Sequence, residues 1–169
     1  VNFGIVYGIS DFSLAQDIGV TRKEAGEFIR TYLATYPGVA KYMDDIKESA
    51  REKGYVTTLF GRRRALPELQ SRNFNIRSFG ERVAMNTPIQ GTAADIIKIA
   101  MVRVRDRLRR EGLESRLILQ VHDELILEAP KSEQEEAMRL LKEEMEAAFQ
   151  MDAPLVAEAK AGHSWYETK

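Results

Sequence analysis

The chain has 169 residues, of which 44% are hydrophobic and 30% charged, a composition typical of a globular domain. It has no cysteine, which excludes disulfides and thiolate metal sites, and no apolar run of about 18 residues that could cross a membrane. The net charge of −1 conceals a basic middle: residues 51–110 carry fourteen basic and five acidic side chains, whereas residues 111–169 carry six and fourteen. This pattern suits a protein that presents one face to a polyanion, although clustered charges on solvated helices would give it too.

The start of the chain predicts a run of helices. Phe3 and Tyr7 lie four residues apart in an apolar segment, so one helix face would carry both rings. Such a pair is usual in a hydrophobic core, and it can also form a platform on which a base or sugar stacks. Ser10 or Asp11 is placed to cap the next helix, which we expect to end at Gly19.

A capping box predicts the start of a third helix. Thr21 is followed three residues later by Glu24, a pattern in which each side chain accepts a hydrogen bond from the other residue's backbone. This helix would extend over 22–36 and stop at Pro37. A fourth helix would then continue to about residue 53.

The chain changes character at Tyr55. Residues 55–59 are rich in β-forming side chains, Phe60 and Gly61 indicate a turn, and a basic segment follows, so we predict a two-stranded hairpin. Guanidinium groups on its second arm suit contacts with phosphate, although a solvated hairpin would look the same. The three consecutive arginines are Arg62, Arg63 and Arg64.

A long helical pattern follows over residues 75–110. Pro88 and Gly91 interrupt it, which predicts a kink or a break at 87–91. If the helix runs unbroken, one face presents three polar side chains spaced by four, namely Arg82, Asn86 and Gln90. These residue types can contact base edges, sugars and phosphates, or they can lie at the rim of a helix–helix contact.

Two apolar strands form the clearest pattern in the chain. Residues 117–121 and 125–129 predict a pair of buried strands, joined by His122, Asp123 and Glu124. Rigid strands would fix the two carboxylates in space, as Mg²⁺ requires. A polar hairpin tip is also an ordinary structural feature, because Asp is a common turn residue.

The remaining residues predict an amphipathic helix over 133–149 and a last strand over 155–159. The fold class is therefore α+β, with a mostly helical first part and a second part built from a small antiparallel sheet and flanking helices. No repeat or flexible linker separates them, which favours one domain or two closely packed subdomains.

Four of these segments occur in the order and at the spacing of one known family. Residues 2–8 (Asn-Phe-Gly-Ile-Val-Tyr-Gly) resemble the end of its nucleotide-binding helix, and residues 120–124 (Gln-Val-His-Asp-Glu) resemble its metal-binding motif C. Residues 82–95 resemble its long palm helix, and the hairpin over 54–64 fits as well. The chain therefore resembles the family A DNA polymerases, of the bacterial DNA polymerase I type, over essentially its whole length.

The resemblance implies roles for the site residues. Asp123 would be one of two metal-binding aspartates and Glu124 an accessory carboxylate, with two Mg²⁺ ions in the complete enzyme; His122 would lie near the primer terminus and complete the catalytic set. Phe3 would lie against the sugar of the incoming nucleotide. Tyr7 would stack near the templating position, with Gly8 in the same nucleotide-binding motif.

The same resemblance implies a division of the chain and a nucleic-acid surface. Residues 1–72 would form the second half of the fingers and residues 73–169 the second half of the palm. Primer–template DNA would be held by the hairpin arginines and the long helix. The residues concerned are Arg62, Arg63, Arg64, Arg82, Asn86, Gln90 and His122.

The implied activity is that of a DNA-directed DNA polymerase, which transfers a nucleotide from a dNTP to a primer 3′-hydroxyl in replication and repair. The family's other metal-binding aspartate, and an Arg and a Lys that contact the triphosphate, belong to an upstream part that this chain lacks. We therefore expect the isolated chain to be nearly inactive and its partner to be that missing N-terminal part of the polymerase domain. The expected location is the bacterial cytosol, at the nucleoid.

Three alternatives remain open at this point. A single-subunit RNA polymerase shares the same palm plan. A non-catalytic DNA-binding module would use the basic middle of the chain to bind DNA, while Asp123 merely shapes a turn. A purely structural helical domain would have no affinity for DNA, and its arginines would affect only solubility.

Overall fold

The computed structural model describes residues 1–168 and divides into two compact units, one formed by Val1–Thr92 and the other beginning at Ala93. Both units combine helices with a two-stranded antiparallel sheet, which confirms the α+β class. In the described part of the chain, no helix has both the length and the apolar character needed to cross a bilayer. The helices are α1 (Asn2–Val6), α2 (Asp11–Ile18), α3 (Arg22–Thr35), α4 (Pro37–Lys53), α5 (Phe74–Arg110) and α6 (Gln134–Glu146).

Four strands form the two sheets, and short 3₁₀ turns lie at Pro67–Gln70, Lys131–Glu133 and Trp165–Thr168. The first sheet pairs β1 (Tyr55–Thr57) with β2 (Arg63–Ala65), and the second pairs β3 (Arg116–Val121) with β4 (Glu124–Glu128). Each is therefore a hairpin, and the predicted basic hairpin is present.

Local side-chain caps begin the early helices as predicted. The Ser10 hydroxyl accepts from the backbone N–H of Ser13 at 3.1 Å, so Ser10 rather than Asp11 caps α2. The capping box of α3 is complete: the N–H of Glu24 donates to the Thr21 hydroxyl at 3.3 Å, and the N–H of Thr21 donates to the Glu24 carboxylate at 2.9 Å. These hydrogen bonds satisfy donors that every helix leaves free at its start.

The helix α5 has no break at 87–91, because it continues through Pro88, and the predicted kink there stays a prediction. Proline has no N–H, so the carbonyl of Ala84 loses its helical partner. The neighbouring carbonyl of Met85 receives a hydrogen bond from the Tyr42 hydroxyl of α4 at 3.1 Å. Burial raises the pKa of Tyr42, so this hydroxyl stays protonated as a donor. A tertiary hydrogen bond thus reaches α5 one residue from the interrupted position, and the Ala84 carbonyl itself is not its acceptor.

The first unit has two small cores. One joins α2 to α3 through Leu14, Ala15 and Ala25. The other packs the hairpin and the following 3₁₀ turn against α4 and α5, and it contains Ala50, Val56, Leu66, Leu69 and Ala84. The basic hairpin is therefore fixed at its base by buried apolar contacts.

The second unit packs α5, β4 and α6 around one core. Residues spaced by four on α5 supply one side of it, and Leu125 and Leu140 supply the other; the α5 residues are Ala100, Val104 and Leu108. An ion pair of 2.7 Å between Arg103 and Glu144 joins α5 to α6 at the edge of this core. The core and the ion pair together hold β4 and α6 against α5.

Two predictions for this unit were wrong. The apolar run of β3 predicted a buried strand, yet Ile118 is 57% and Leu119 45% exposed, because the two-stranded sheet is packed on one side only. Residues 155–159 form no strand. A strand needs a neighbour that satisfies its backbone, and here the N–H of Ala157 donates to the Glu146 side chain instead, at 3.1 Å.

Candidate functional site

The tip of the β3–β4 hairpin presents two adjacent carboxylates. β3 ends at Val121 and β4 begins at Glu124, and these two residues pair directly, so the turn consists of His122 and Asp123 alone. His122 has a φ of +52°, in the left-handed region that a tight turn of this length demands. Its carbonyl accepts a hydrogen bond of 2.7 Å from the Gln120 side-chain amide, which fixes the turn.

The side chains of His122, Asp123 and Glu124 are exposed at this tip. Neither carboxylate has an ion pair or a hydrogen bond to another residue in the described part of the chain. Free carboxylate oxygens in a fixed turn are the ligands that Mg²⁺ prefers. Within residues 1–168, however, no three potential ligands of the His, Cys, Asp or Glu type come together. The two carboxylates therefore fit part of a divalent-cation site, and an octahedral ion would need further oxygen ligands.

The helix α5 presents the predicted polar face. Because the helix is continuous, Arg82, Asn86 and Gln90 follow one another at successive turns. Arg82 and Gln90 are exposed, and Arg82 also donates to the Ser78 hydroxyl at 3.3 Å. Asn86 is half-buried, and its side-chain oxygen is buried without a hydrogen-bond partner. Two of the three side chains are thus free to contact a ligand directly.

Phe3 lies on α1, whereas Tyr7 is the residue that follows the last turn of this helix. The ring of Phe3 is 79% exposed and that of Tyr7 is half-buried, with 6.2 Å between ring centroids and 38° between ring planes. Gly8 follows with a φ of +75°. A Cβ at this position would lie 2.4 Å from the Met85 methyl group, and 3.6 Å from a side-chain carbon of Arg82. Glycine therefore allows the end of α1 to approach α5 beside the polar face.

The basic hairpin exposes all three arginines. The guanidinium group of Arg63 lies 4.9 Å from the ring centroid of Tyr55 on the paired strand, a cation–π contact that orders the arginine. The hairpin tip is attached to α5, because the N–H of Leu59 donates to the Thr92 hydroxyl at 3.0 Å. Hence the basic hairpin has a defined position on α5.

Comparison with known proteins decides the family. The sequence model of DNA polymerase family A matches residues 1–167. The chain belongs to DNA polymerase family A. All 169 residues align at 62% identity with DNA polymerase I of Geobacillus stearothermophilus and at 60% with that of Bacillus subtilis (strain 168). Each alignment covers 19% of the relative, so this chain of the polymerase family spans about a fifth of the length of those proteins.

A solved structure has the same fold. It is the POL domain of Pol1 from M. smegmatis in complex with DNA primer–template and dNTP. The match has a TM-score of 0.94 and 43% sequence identity, and it covers 99% of this chain and 30% of that one. The family resemblance and the α+β class are thereby confirmed. The roles of individual site residues stay predictions.

Sequence patterns did not reveal three residues that hold the candidate surfaces of this family A chain in place. Tyr42 and Thr92 contact α5 or the hairpin through single hydrogen bonds across long sequence separations. Thr58 lies in the hairpin turn and is 5% exposed, as buried as a core residue. A threonine before a Leu-Phe-Gly turn is compatible with an ordinary strand end, so only the fold shows its partners.

Proposed function

We propose that this chain supplies part of the active site of a bacterial DNA-directed DNA polymerase. Its second half contributes Asp123 as one of the metal-binding aspartates, with Glu124 as an accessory carboxylate and His122 beside the primer terminus. The observation that carries the proposal is the fixed tip of the β3–β4 hairpin, where the free Asp123 carboxylate follows a left-handed residue. The likeness to a polymerase domain described with primer–template and dNTP supports it.

The reaction would be attack of a primer 3′-hydroxyl on a dNTP by a two-metal mechanism. Magnesium ions, when bound, would activate that hydroxyl and neutralise charge that develops on the phosphates. Asp123 and Glu124 would hold such ions together with carboxylates from outside this chain. The division into fingers (1–72) and palm (73–169) belongs to the same proposal, as does action on the bacterial chromosome in the cytosol.

The remaining surfaces would bind the substrates. Phe3 offers an exposed ring to the sugar of a dNTP, and Tyr7 and Gly8 lie beside it. The α5 face and the hairpin arginines (Arg62, Arg63, Arg64) would hold the primer–template. Arginine binds phosphate in a bidentate manner, and Asn and Gln can read base edges or sugars, so the two surfaces suit the two parts of a duplex.

A chimeric enzyme tests the proposal directly. This chain replaces the aligned 169 residues of the Bacillus subtilis DNA polymerase I, and primer extension is measured with Mg²⁺ and dNTPs. We expect extension by the chimera and a loss of about 100-fold or more in rate with Asp123→Asn, because a group that binds catalytic metal stabilises transition-state charge. Asp152→Asn, which changes an exposed aspartate outside the hairpin, is the matched control and should leave the rate unchanged.

Three outcomes would contradict the proposal. If Asp123→Asn extended primers at the rate of the unaltered chimera, the hairpin tip would have no role in metal binding. A chimera that folds and binds primer–template, yet never extends it, would favour a non-catalytic DNA-binding module. Incorporation of ribonucleotides in preference to dNTPs would instead favour an RNA polymerase.

A further inference from the structure

Two buried threonines and a glycine join the basic hairpin to α5. Thr58 lies at the start of the hairpin turn and Thr92 on the helix, and they are 5% and 6% exposed. The Thr92 hydroxyl accepts the hydrogen bond from the N–H of Leu59. Between them Gly91 has no side chain, and a Cβ there would lie 2.6 Å from the methyl carbon of Thr58. We call Thr58, Gly91 and Thr92 the latch.

The latch brings the hairpin closer to the helix than a larger residue would allow. A contact of 2.6 Å is too short for two carbon atoms, so alanine at 91 would push the turn outward or displace Thr58. The hydrogen bond to Thr92 adds direction to this close contact. The position of the hairpin turn along α5 is therefore defined both by the close contact at Gly91 and by the hydrogen bond from Leu59 to Thr92.

Thr58 also holds the turn from which the arginines emerge. Its hydroxyl accepts from the backbone N–H of Phe60 at 3.3 Å and of Arg62 at 3.2 Å. Its own N–H donates to the carbonyl of Arg62 at 3.0 Å. The N–H of Gly61 donates to the Thr58 carbonyl at 3.0 Å as well, so four hydrogen bonds connect the anchored residue to the turn, and two of them end at the first arginine.

We propose that the latch positions the hairpin arginines relative to Gln90, so that both surfaces contact the same primer–template. This inference rests on the proposed function. Thr92 is a positioning residue, because its buried hydroxyl acts through Leu59 and the turn rather than on DNA. The base of the hairpin remains in the core through Val56, so loss of the latch displaces the arginines without releasing the hairpin.

The test compares variants of the 169-residue chain in binding to primer–template DNA, followed by fluorescence anisotropy over a range of salt concentrations. Thr92→Val removes the acceptor and keeps the shape, Arg64→Ala removes one arginine, and a double variant combines them. We expect each single variant to weaken binding by about threefold or more and to lower the salt dependence by about one ion. The double variant should bind no more weakly than Thr92→Val alone, because Thr92→Val already removes the contact between Arg64 and DNA.

Three controls keep the outcome clear. Thr92→Ser restores the hydroxyl and should recover binding. Thr58→Val removes the hydroxyl at the other end and should reproduce Thr92→Val. Hydrogen exchange of the Leu59 amide, measured without DNA, should be slow in the unaltered chain, fast in Thr92→Val and slow again in Thr92→Ser. Thermal unfolding identifies any variant that does not fold.

Unchanged binding by Thr92→Val with a fast Leu59 amide would overturn the inference while leaving the proposed function intact. Additive losses in the double variant would overturn it too, because Thr92 would then act independently of the arginines. If the unaltered chain shows a protected Leu59 amide but no salt-dependent DNA binding, the DNA-binding part of the proposed function fails, and the positioning role fails with it.

Discussion

Arg82, Asn86 and Gln90 share one face of α5 but differ in how much of each side chain water can reach. Arg82 and Gln90 are exposed, whereas the Asn86 side-chain oxygen is buried with no partner. An unsatisfied buried acceptor is unfavourable in the folded protein, so Asn86 bears a cost that the other two do not. The chemistry of the exposed pair also differs, because only Arg82 carries charge.

That difference predicts separate effects on DNA binding by the chain. Arg82→Ala should weaken primer–template binding and reduce the slope of log affinity against log salt by about one, as expected for one lost phosphate contact. Gln90→Ala should weaken binding with little change in slope, because a neutral amide releases no counterion. Arg139→Ala, on α6, removes an arginine already paired with Glu136 and Glu143 and serves as the control. Equal slopes for all three variants would contradict the assignment of the α5 face.

At the scale of elements, Glu133 connects the start of β3 to the turn that precedes α6. Its carboxylate accepts from the N–H of Glu114 at 2.9 Å, from the N–H of Ser115 at 2.9 Å and from the Ser115 hydroxyl at 2.6 Å. The Ser115 hydroxyl, and then the Glu114 backbone, hold the pKa of Glu133 below its ordinary value of 4.5. The ionised form is therefore favoured in the folded state.

The sign of this pKa change predicts a pH dependence of stability. A carboxyl with a depressed folded-state pKa stabilises the fold above pH 4.5, and the contribution disappears as pH falls through the lower folded value. Glu133→Gln should therefore lower the midpoint of thermal unfolding at pH 7 and differ less and less from the unaltered chain below pH 4.5. Glu135→Gln, an exposed neighbour, should change little at either pH. A constant difference across the whole pH range would show that the charge of Glu133 does not matter.

Sequence patterns predicted these elements where the cause is local. The α3 capping box, the stop of α2 at Gly19 and the basic hairpin depend on residues within a few positions of one another, so the chain itself specifies them. The tertiary hydrogen bond that α5 receives near Pro88 comes from Tyr42, forty-three residues from the carbonyl that it contacts. The exposure of Ile118 and the absence of a strand at 155–159 depend on which neighbours a strand has, and spacing along the chain contains no such information.

The candidate site likewise has one part that the sequence predicts and another that only the fold shows. A polar tip that carries Asp123 and Glu124 was predictable, because two apolar strands flank it, but Glu124 is the first residue of β4 and not part of the turn. The latch was not predictable, because no sequence pattern distinguishes Thr58 and Thr92 from other threonines. Their role follows from a close contact at Gly91 that only the packed structure contains.

At the scale of the whole molecule, the hairpin tip presents two carboxylates, and the described residues contain no group of three potential metal ligands that could hold an ion. Catalysis by two metals requires a fuller set of oxygen ligands and cations for the triphosphate. The purified 169-residue chain should therefore show no primer extension above background with Mg²⁺ and dNTPs, while the chimera with the Bacillus subtilis enzyme is active. Robust extension by the isolated chain, abolished by Asp123→Ala, would contradict this prediction.

The left-handed backbone at His122 has a consequence for which sequences this hairpin tolerates. A residue with a Cβ is strained at a φ of +52° by roughly 1–2 kcal/mol, and glycine, asparagine and aspartate tolerate that region far better than β-branched residues do. A designer who optimised folding alone would thus choose glycine or asparagine beside Asp123. Histidine also enters this region more often than most residues that carry a Cβ, so the tip holds an imidazole beside Asp123 at a smaller conformational cost than a β-branched residue would carry there.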